Sequence, residues 1–432
     1  MVSGQTAKND DAWTDSNFTI TLIKYFNNSR QLISMINSPI TVLCLASYEK
    51  GEDLLRALKN IGCKVVLVTV ESLKDAPSWK PELIDELLWM PDLTKIPEVV
   101  NGISFLARTR KFDRIITLDE FDIEIGCALR EHLRIPGMGD TTARYFRDKL
   151  AMRFHARDSG IRVPEFSAVI NYDELSEFMH RVPPPYVLKP RTSASAIGIR
   201  KIHTSEELWP ILSEIGDEQS FKVLEKYIPG EIFHVDSVVS EYEIVFANVQ
   251  KYGSPPLDVM HDGGIFSTYG IPRGSADETN LLKINRDLIQ AFKMARGVTH
   301  SEFIKGEDGE FYFLETAARV GGAYIADVTV AARGINLWEE WGRVEVLQKE
   351  YELPQVRERY AGAIISLARQ ERPDTSAYTD PEIVHRIVKK NHVGLIVASE
   401  DSERVKNLLE CYTPRFYQDF HASEPPPDKP TA

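Results

Sequence analysis

The stretch 300–319, HSEFIKGEDGEFYFLETAAR, constrains this chain more than any other. Two runs of branched, aromatic and acidic residues flank Asp308-Gly309, a pair that favours a tight hairpin turn because both positions tolerate positive φ. With a two-residue loop there, Glu307 faces Glu310, and counting back through the ladder sets Glu302 opposite Glu315. On that count His300 and Ile304 share the face of Glu302, and Phe311 and Phe313 share the face of Glu315, so the carboxylates meet on a mainly apolar surface. Two carboxylates about 5 Å apart repel by roughly 3 kcal/mol at an effective dielectric near 20. A bound cation removes that cost. Mg²⁺ suits the position, because it is commonly held by one or two carboxylates, keeps some waters and takes its remaining ligands from phosphates. A solvated surface hairpin with two glutamates is the plainer alternative, and the apolar neighbours weaken it.

With 432 residues the chain exceeds the size of one hydrophobic core, so two or three lobes sharing one site are expected. Short apolar runs at 40–46 (ITVLCLA), 65–70 (VVLVTV) and 114–118, alternating with helical patterns at 53–61 and 120–133, suggest buried parallel strands with crossover helices. The expected divisions are an N-terminal extension, 1–38; a parallel α/β domain, 39–140; a lobe at 141–224; a second lobe at 225–355; a C-terminal subdomain, 356–418; and a disordered tail, 419–432.

Composition narrows the function. Net charge is −13, which repels phosphate backbones and argues against nucleic acid as a partner. Cys44, Cys63, Cys127 and Cys411 lie in or beside apolar segments without a CxxC pair and read as reduced core residues. The ten histidines show no zinc spacing, so any metal should be oxygen-bound. No signal-like stretch opens the chain and no apolar run approaches a membrane span, so a cytoplasmic protein with no membrane contact is expected.

Two lysines and a turn extend the pattern. Lys189 ends a strand (YVLKP, 186–190) just before the small-residue loop 191–198, which contains Ser195 and lets backbone N–H groups approach phosphate. Lys149 opens a helix expected over 148–158 and stopped at Gly160. The segment Glu225-Lys226-Tyr227-Ile228-Pro229-Gly230-Glu231 ends one strand and starts another, a connection where backbone groups can read an adenine and Glu231 can accept ribose hydroxyls. Each of the three also fits an ordinary surface turn or solvated lysine. The Gly- and Pro-rich segment 254–274 is expected to be a mobile cover or a plain surface loop.

Taken in order, DK at 148–149, VLKP at 187–190, EKYIPGE at 225–231, SEF at 301–303 and FLETAARVGG at 313–322 resemble the ATP-grasp superfamily. The resemblance covers about residues 40–400. It implies an α/β and α+β chain in which a parallel pre-ATP-grasp domain precedes two lobes, built on antiparallel β-structure, that enclose ATP. It implies that Lys149 and Lys189 contact the phosphates, that Ser195, Glu225, Tyr227 and the backbone of Lys226 and Ile228 belong to the nucleotide site, and that Glu231 holds the ribose. Glu302 and Glu315 would ligate Mg²⁺, or Mn²⁺ in its place. Arg319 would lie near the transferred phosphate and the acyl intermediate, with His300, Gly321 and Gly322 at the substrate. Two departures are visible: Ala317 stands where many of these enzymes carry an asparagine metal ligand, and the loop after Lys189 is glycine-poor.

Within the superfamily, GVTHSEF at 297–303, ETAARVGG at 315–322 and AARGINLW at 331–338 look most like L-amino-acid ligases that make dipeptides, with carnosine synthase-like enzymes as near relatives. The implied activity joins small-molecule carboxylate and amine substrates through an acyl phosphate, releasing ADP and phosphate. A ligase or carboxylase with a non-amino-acid substrate and a nucleotide-binding module without turnover are the alternatives, and a homodimer is left open.

Overall fold

The computed structural model describes residues 39–193 and 197–423; the expected N-terminal extension, residues 424–432 of the expected tail and Ser195 lie outside them. Three sheets organise the chain. The first contains β1 (Thr41–Ala46), β2 (Lys64–Val70), β3 (Glu86–Met90) and β4 (Arg114–Thr117), all parallel, in the order β3-β2-β1-β4. The continuous apolar runs of β1 and β2 follow from burial on both faces. β3 escaped the sequence reading because it is an edge strand, half-buried, with Trp89 exposed. The chain leaves β1 for β2 on one side and returns as β4 on the other, so a crevice opens beyond the carboxyl ends of β1 and β4.

The second sheet, β5 (Phe166–Ala168), β6 (Tyr186–Pro190), β7 (Arg200–Ile202) and β8 (Lys222–Lys226), is antiparallel in the order β5-β8-β6-β7. Helices Tyr172–Arg181 and Ser205–Ile215 cover it, burying Leu175, Phe178, Leu208 and Leu212 against Tyr186, Leu188 and Leu224.

The third sheet has eight strands: β9 (Gly230–Ser240), β10 (Glu243–Tyr252), β11 (Phe266–Gly270), β12 (Gly297–Gly306), β13 (Phe311–Ala317), β14 (Tyr360–Leu367), β15 (Ile383–Lys389) and β16 (His392–Ser399). All neighbours are antiparallel, in the order β13-β12-β9-β10-β11-β14-β16-β15. The segment expected as a cover or plain loop supplies helix Pro256–Asp262 and β11, which is bonded to both β10 and β14. Its glycines and prolines punctuate a short strand whose Thr268 is fully buried.

The β12–β13 hairpin reaches the expected pairing by another route. Its loop holds three residues, 307–309, closed by Gly306 N–H donating to the Glu310 carbonyl at 2.9 Å and Gly309 N–H to the Gly306 carbonyl at 2.9 Å. Phe303 therefore pairs with Phe313, and a register shift at Leu314 then restores Glu302 opposite Glu315. The bulge also corrects the expected face. Phe311 and Phe313 share the side of Phe303 and pack with Phe233, Leu288 and Phe292, so the carboxylates sit on the opposite side from these aromatics. Cys44, Cys63 and Cys127 are buried as expected, whereas Cys411 is exposed on the last helix, Ser402–Asp419. Among the described residues no helix is long and apolar enough to cross a membrane.

Candidate functional site

Helix Lys149–Asp158 starts where it does because Asp148 caps it: its carboxylate accepts from Leu150 N–H at 3.0 Å and Ala151 N–H at 3.4 Å. Arg191 Nε donates to the same carboxylate at 2.9 Å, and Lys149 N–H donates to the Arg191 carbonyl at 2.8 Å, so the helix start is tied to the loop after β6. The Lys149 ammonium lies 2.7 Å from Glu315 Oε2 and 2.7 Å from the Ser193 carbonyl, so it joins β13 to the loop after β6. Burial alone would raise the Glu315 pKa, but Lys149 and then Lys189 pull it down to about 2.

Lys189, at the end of β6, is held inside its lobe. Its Nζ lies 2.8 Å from Glu225 Oε2, and Arg153 Nε lies 3.0 Å from Glu225 Oε1, with all three side chains buried. Burial lowers the Lys189 pKa to about 8, with Glu225 opposing the shift. Glu225, expected in the nucleotide site, thus spends its carboxylate on this trio. At the connection, Lys226 N–H donates to the Glu165 carbonyl at 2.7 Å and Tyr227 N–H to the Pro185 carbonyl at 3.0 Å, whereas Ile228 N–H donates to no backbone carbonyl among the described residues. Lys226 Nζ donates to the Pro183 carbonyl at 2.7 Å, and Lys201 Nζ sits 3.8 Å from the centre of the Tyr227 ring. A Cβ at Gly230 would lie 2.0 Å from the Lys305 carbonyl oxygen, which is why the connection enters β9 on a glycine. Glu231 pairs with Lys251 and is half-exposed. Gly230 faces Gly306, so this connection and Glu302 lie four residues apart along β12, about 13 Å at strand rise.

Behind Glu302 runs a buried polar chain that the sequence reading met only at His300. His300 Nδ1 is 2.8 Å from Asp236 Oδ1, and His234 Nδ1 is 2.6 Å from Asp236 Oδ2; His234 Nε2 continues to the Thr268 hydroxyl at 2.7 Å. Tyr252 donates to Glu302 Oε1 at 2.8 Å, and His300 Nε2 lies 3.4 Å from the same oxygen. Burial would lower the His300 pKa, but Asp236 and then Glu302 raise it to about 9. Burial would likewise raise that of Asp236, and the two imidazoles hold it below the usual carboxylate range. His234, Asp236 and His300 are grouped closely enough to bracket an ion. Their Nδ1 atoms are already hydrogen-bonded to the carboxylate, which describes a carboxylate-bridged histidine pair. Gly321 backs this pair: a Cβ there would meet Asp236 Oδ1 and His300 Nδ1 at 3.0 Å each, whereas Gly322 has nothing within 4 Å. After them Ala323 and Tyr324 adopt φ 49° and 60°, a strained turn that launches helix Ile325–Arg333.

The first sheet completes the site through residues not singled out from sequence. Arg319 Nη2 lies 3.2 Å from Glu120 Oε1 in the loop after β4, and although burial disfavours its charge, Glu120 and Asp119 secure it. Asp119 pairs with Lys50, and Asp122 accepts from Ser47 N–H at 3.0 Å; burial pushes the Asp122 carboxyl up to about 6 despite the Ser47 bonds. These residues lie in the crevice beyond β1 and β4, where the carboxyl ends of parallel strands meet a change of direction. That position was the available signal for them. Lys149, His300, Glu315 and Arg319 line one cavity with Glu120 and Arg147, while a second cavity beside Arg130, Arg296 and Glu345 contains none of the expected site residues. The structure therefore brings together the carboxylates, one lysine and the arginine, with Lys189 paired to Glu225 inside its own sheet and the 225–231 connection at the far end of β12.

Residues 182–327 match the ATP-grasp domain family. The L-arginine-specific L-amino acid ligase of Bacillus subtilis is 28% identical over 261 residues, which is 59% of this chain and 63% of that protein, so this chain spans less than two-thirds of that relative. A D-alanine–D-alanine ligase of Dechloromonas aromatica is 22% identical over 208 residues, 47% of this chain and 67% of that one. Among solved structures, the L-amino acid ligase of Bacillus licheniformis superposes with a TM-score of 0.70 at 17% identity, covering 88% of this chain and 98% of that one. The fold is that of the ATP-grasp proteins.

Proposed function

We propose that this chain, which carries an ATP-grasp domain, is an ATP-dependent ligase that joins a carboxylate to an amine through an acyl phosphate, with amino acids as substrates. The observation that carries the reading is the meeting of three charged groups at one cavity: Glu315, paired across β12–β13 with Glu302; Lys149, at the start of helix Lys149–Asp158; and Arg319, anchored to the first sheet's loop at Glu120. A scaffold that only bound nucleotide would have no use for the last. The relatives are named as ligases of amino acids, which supports the substrate class.

The chemical problem is that a carboxylate cannot expel oxide when an amine attacks it. Phosphorylation supplies a leaving group. Adenine would use the unspent N–H of Ile228, with Glu231 at the ribose, and the phosphates would extend along β12 towards Glu302. Lys149 would exchange Glu315 for phosphate oxygen, and Lys189 would add a second positive charge from behind. The two facing carboxylates, the low Glu315 pKa and the all-oxygen donor set fit Mg²⁺ or Mn²⁺ at Glu302 and Glu315, which when bound supplies charge neutralisation on the phosphates. Tyr252 and His300 fix the Glu302 carboxylate in place. A substrate carboxylate oxygen attacks the γ-phosphorus as the bond to ADP breaks. The neutral amine nitrogen then attacks the acyl carbon, Arg319 and the N–H groups of the Gly321–Gly322 turn stabilise the oxyanion, and the bond to phosphate breaks as the nitrogen gives up a proton to the departing phosphate.

The test is ADP and phosphate release with MgATP across a panel of amino acids, singly and in pairs, with mass detection. Turnover that requires a pair, and a product of their summed mass less water, is the expected result. Phosphate release with no condensed product, or turnover only with non-amino-acid carboxylates, would overturn the substrate class; ATP binding without turnover on any acid would overturn the ligase.

A further inference from the structure

The cavity in front of Glu315 holds one cation that the reaction scheme leaves unused. Of the positive side chains around it, Lys149 pairs with Glu315, Lys189 and Arg153 share Glu225, Arg191 pairs with Asp148, Lys50 with Asp119, and Arg319 with Glu120. Arg147 lines the same cavity and forms no ion pair among the described residues. It is only 7% exposed, and its Nε is fully buried without a hydrogen-bond partner among them. A guanidinium in that state carries a desolvation cost that a hydrogen-bonding anion would offset.

Local chemistry explains how it is held there. In the sequence Arg147-Asp148-Lys149, Asp148 turns back to cap the helix and Lys149 turns to Glu315. Arg147 lies instead against the first lobe, its guanidinium carbon 5.0 Å from the centre of the Phe121 ring, and Phe121 is itself 5.7 Å from the Tyr48 ring. An aromatic platform fixes the plane of a guanidinium while leaving its edge donors unspent, the geometry that suits a planar, two-oxygen anion. The platform belongs to the crevice at β1 and β4, with Tyr48 following β1 and Phe121 following β4.

We infer that Arg147 is a carboxylate receptor that holds the α-carboxylate of an amino-acid substrate, with Phe121 orienting its guanidinium. This rests on the amino-acid reading above. It makes Arg147 a specificity-determining residue, since an amine lacking an adjacent carboxylate would leave the buried cation unpaired. A nucleotide phosphate offers similar oxygen chemistry, so the experiment separates the two sources.

Wild type, Arg147→Gln and Arg147→Lys, each with an unchanged circular dichroism spectrum, would be titrated calorimetrically with MgADP, then with each amino acid of the panel and its C-terminal amide in the presence of MgADP. Expected are MgADP affinities equal within twofold in all three proteins. Wild type should prefer acid over amide by at least tenfold, the preference vanishing in Arg147→Gln and partly surviving in Arg147→Lys. A tenfold loss of MgADP affinity with the acid preference intact would assign Arg147 to the nucleotide and overturn the proposal. Equal binding of acid and amide by wild type, or no binding of any panel member, would also overturn it. A wild type that prefers acids yet condenses none in the mass assay would keep Arg147 and sink the ligase reading instead.

Discussion

Lys149 and Lys189 stand close together at the same candidate phosphate site, yet their surroundings differ. Lys189 is neutralised within its own sheet by Glu225, and that carboxylate is also held by Arg153, so the trio is a finished structural unit. Lys149, whose helix packs on the eight-stranded sheet through Met152 and Ala156, is neutralised by Glu315 of that sheet, with a side chain 34% exposed, and ties it to the loop after β6 through the Ser193 carbonyl. One lysine is part of a core and the other is part of a latch. A ligand that displaces Lys149 frees the Glu315 carboxylate and releases the tie to the loop after β6 at Ser193, whereas a ligand at Lys189 only adds a charge to a group already committed. Coupling of nucleotide binding to lobe movement should therefore run through Lys149.

The largest effect should come from Glu315→Gln, which keeps volume and removes the charge on which both Lys149 and a divalent cation depend. ADP formation should fall by a factor of about 10³ or more, the size expected when a preorganised electrostatic contact is lost. Circular dichroism and melting should stay close to wild type, because the side chain is partly exposed and Lys149 keeps the Ser193 carbonyl. Turnover within tenfold of wild type would remove Glu315 from the chemistry.

Next in size is the contrast between the lysines. Lys189→Ala leaves Glu225 with Arg153 alone in a buried setting; breaking a buried pair costs roughly 3 to 5 kcal/mol, reduced here because one partner remains. Lys149→Ala disrupts a pair whose carboxylate is partly exposed and can turn to solvent, and should cost less, about 1 to 2 kcal/mol. Denaturant melts of the two variants check this order. In MgATP titrations both should bind more weakly, about 10- to 100-fold, but only Lys149→Ala should abolish a nucleotide-induced change in lobe separation measured by small-angle scattering. A wild-type scattering curve that ignores nucleotide would refute the latch.

Much of this site was readable in the chain because its parts are short and local. DK, VLKP and the 300–319 hairpin each fix a side chain by strand end, helix start or register, and the pairing of Glu302 with Glu315 survived a wrong turn length only because the Leu314 bulge adds back the residue that the longer loop removes. Alternation cannot reveal such a compensation, and it left Phe311 and Phe313 on the wrong face. The unread residues are those whose meaning is set by distance in the fold. Asp236 is an ordinary strand residue until β12 brings His300 to it, Arg153 an ordinary helix residue until β8 brings Glu225, and Glu120 a loop carboxylate until Arg319 arrives from 199 positions away. Glu225 belongs with them: its neighbours in sequence point to a nucleotide, and only the fold adds Lys189 and Arg153 to its carboxylate.

The smallest expected effect sharpens the same contrast by pH. Burial lowers the Lys189 pKa to about 8 from the usual 10.5, so between those values the unfolded chain binds a proton there that the folded chain does not. Stability from this group must then rise with pH across that window, by at most about 1.4 kcal/mol per unit, and be flat below it. Phosphate affinity should move the other way. Only the ammonium attracts phosphate, so MgATP affinity of the free protein should fall roughly tenfold between pH 7 and pH 9 as the protonated fraction shrinks. Lys189→Arg, whose guanidinium does not titrate in this range, should lose both trends. If affinity in the arginine variant still fell between pH 7 and 9 as in wild type, another group would be responsible and Lys189 would be a structural cation only.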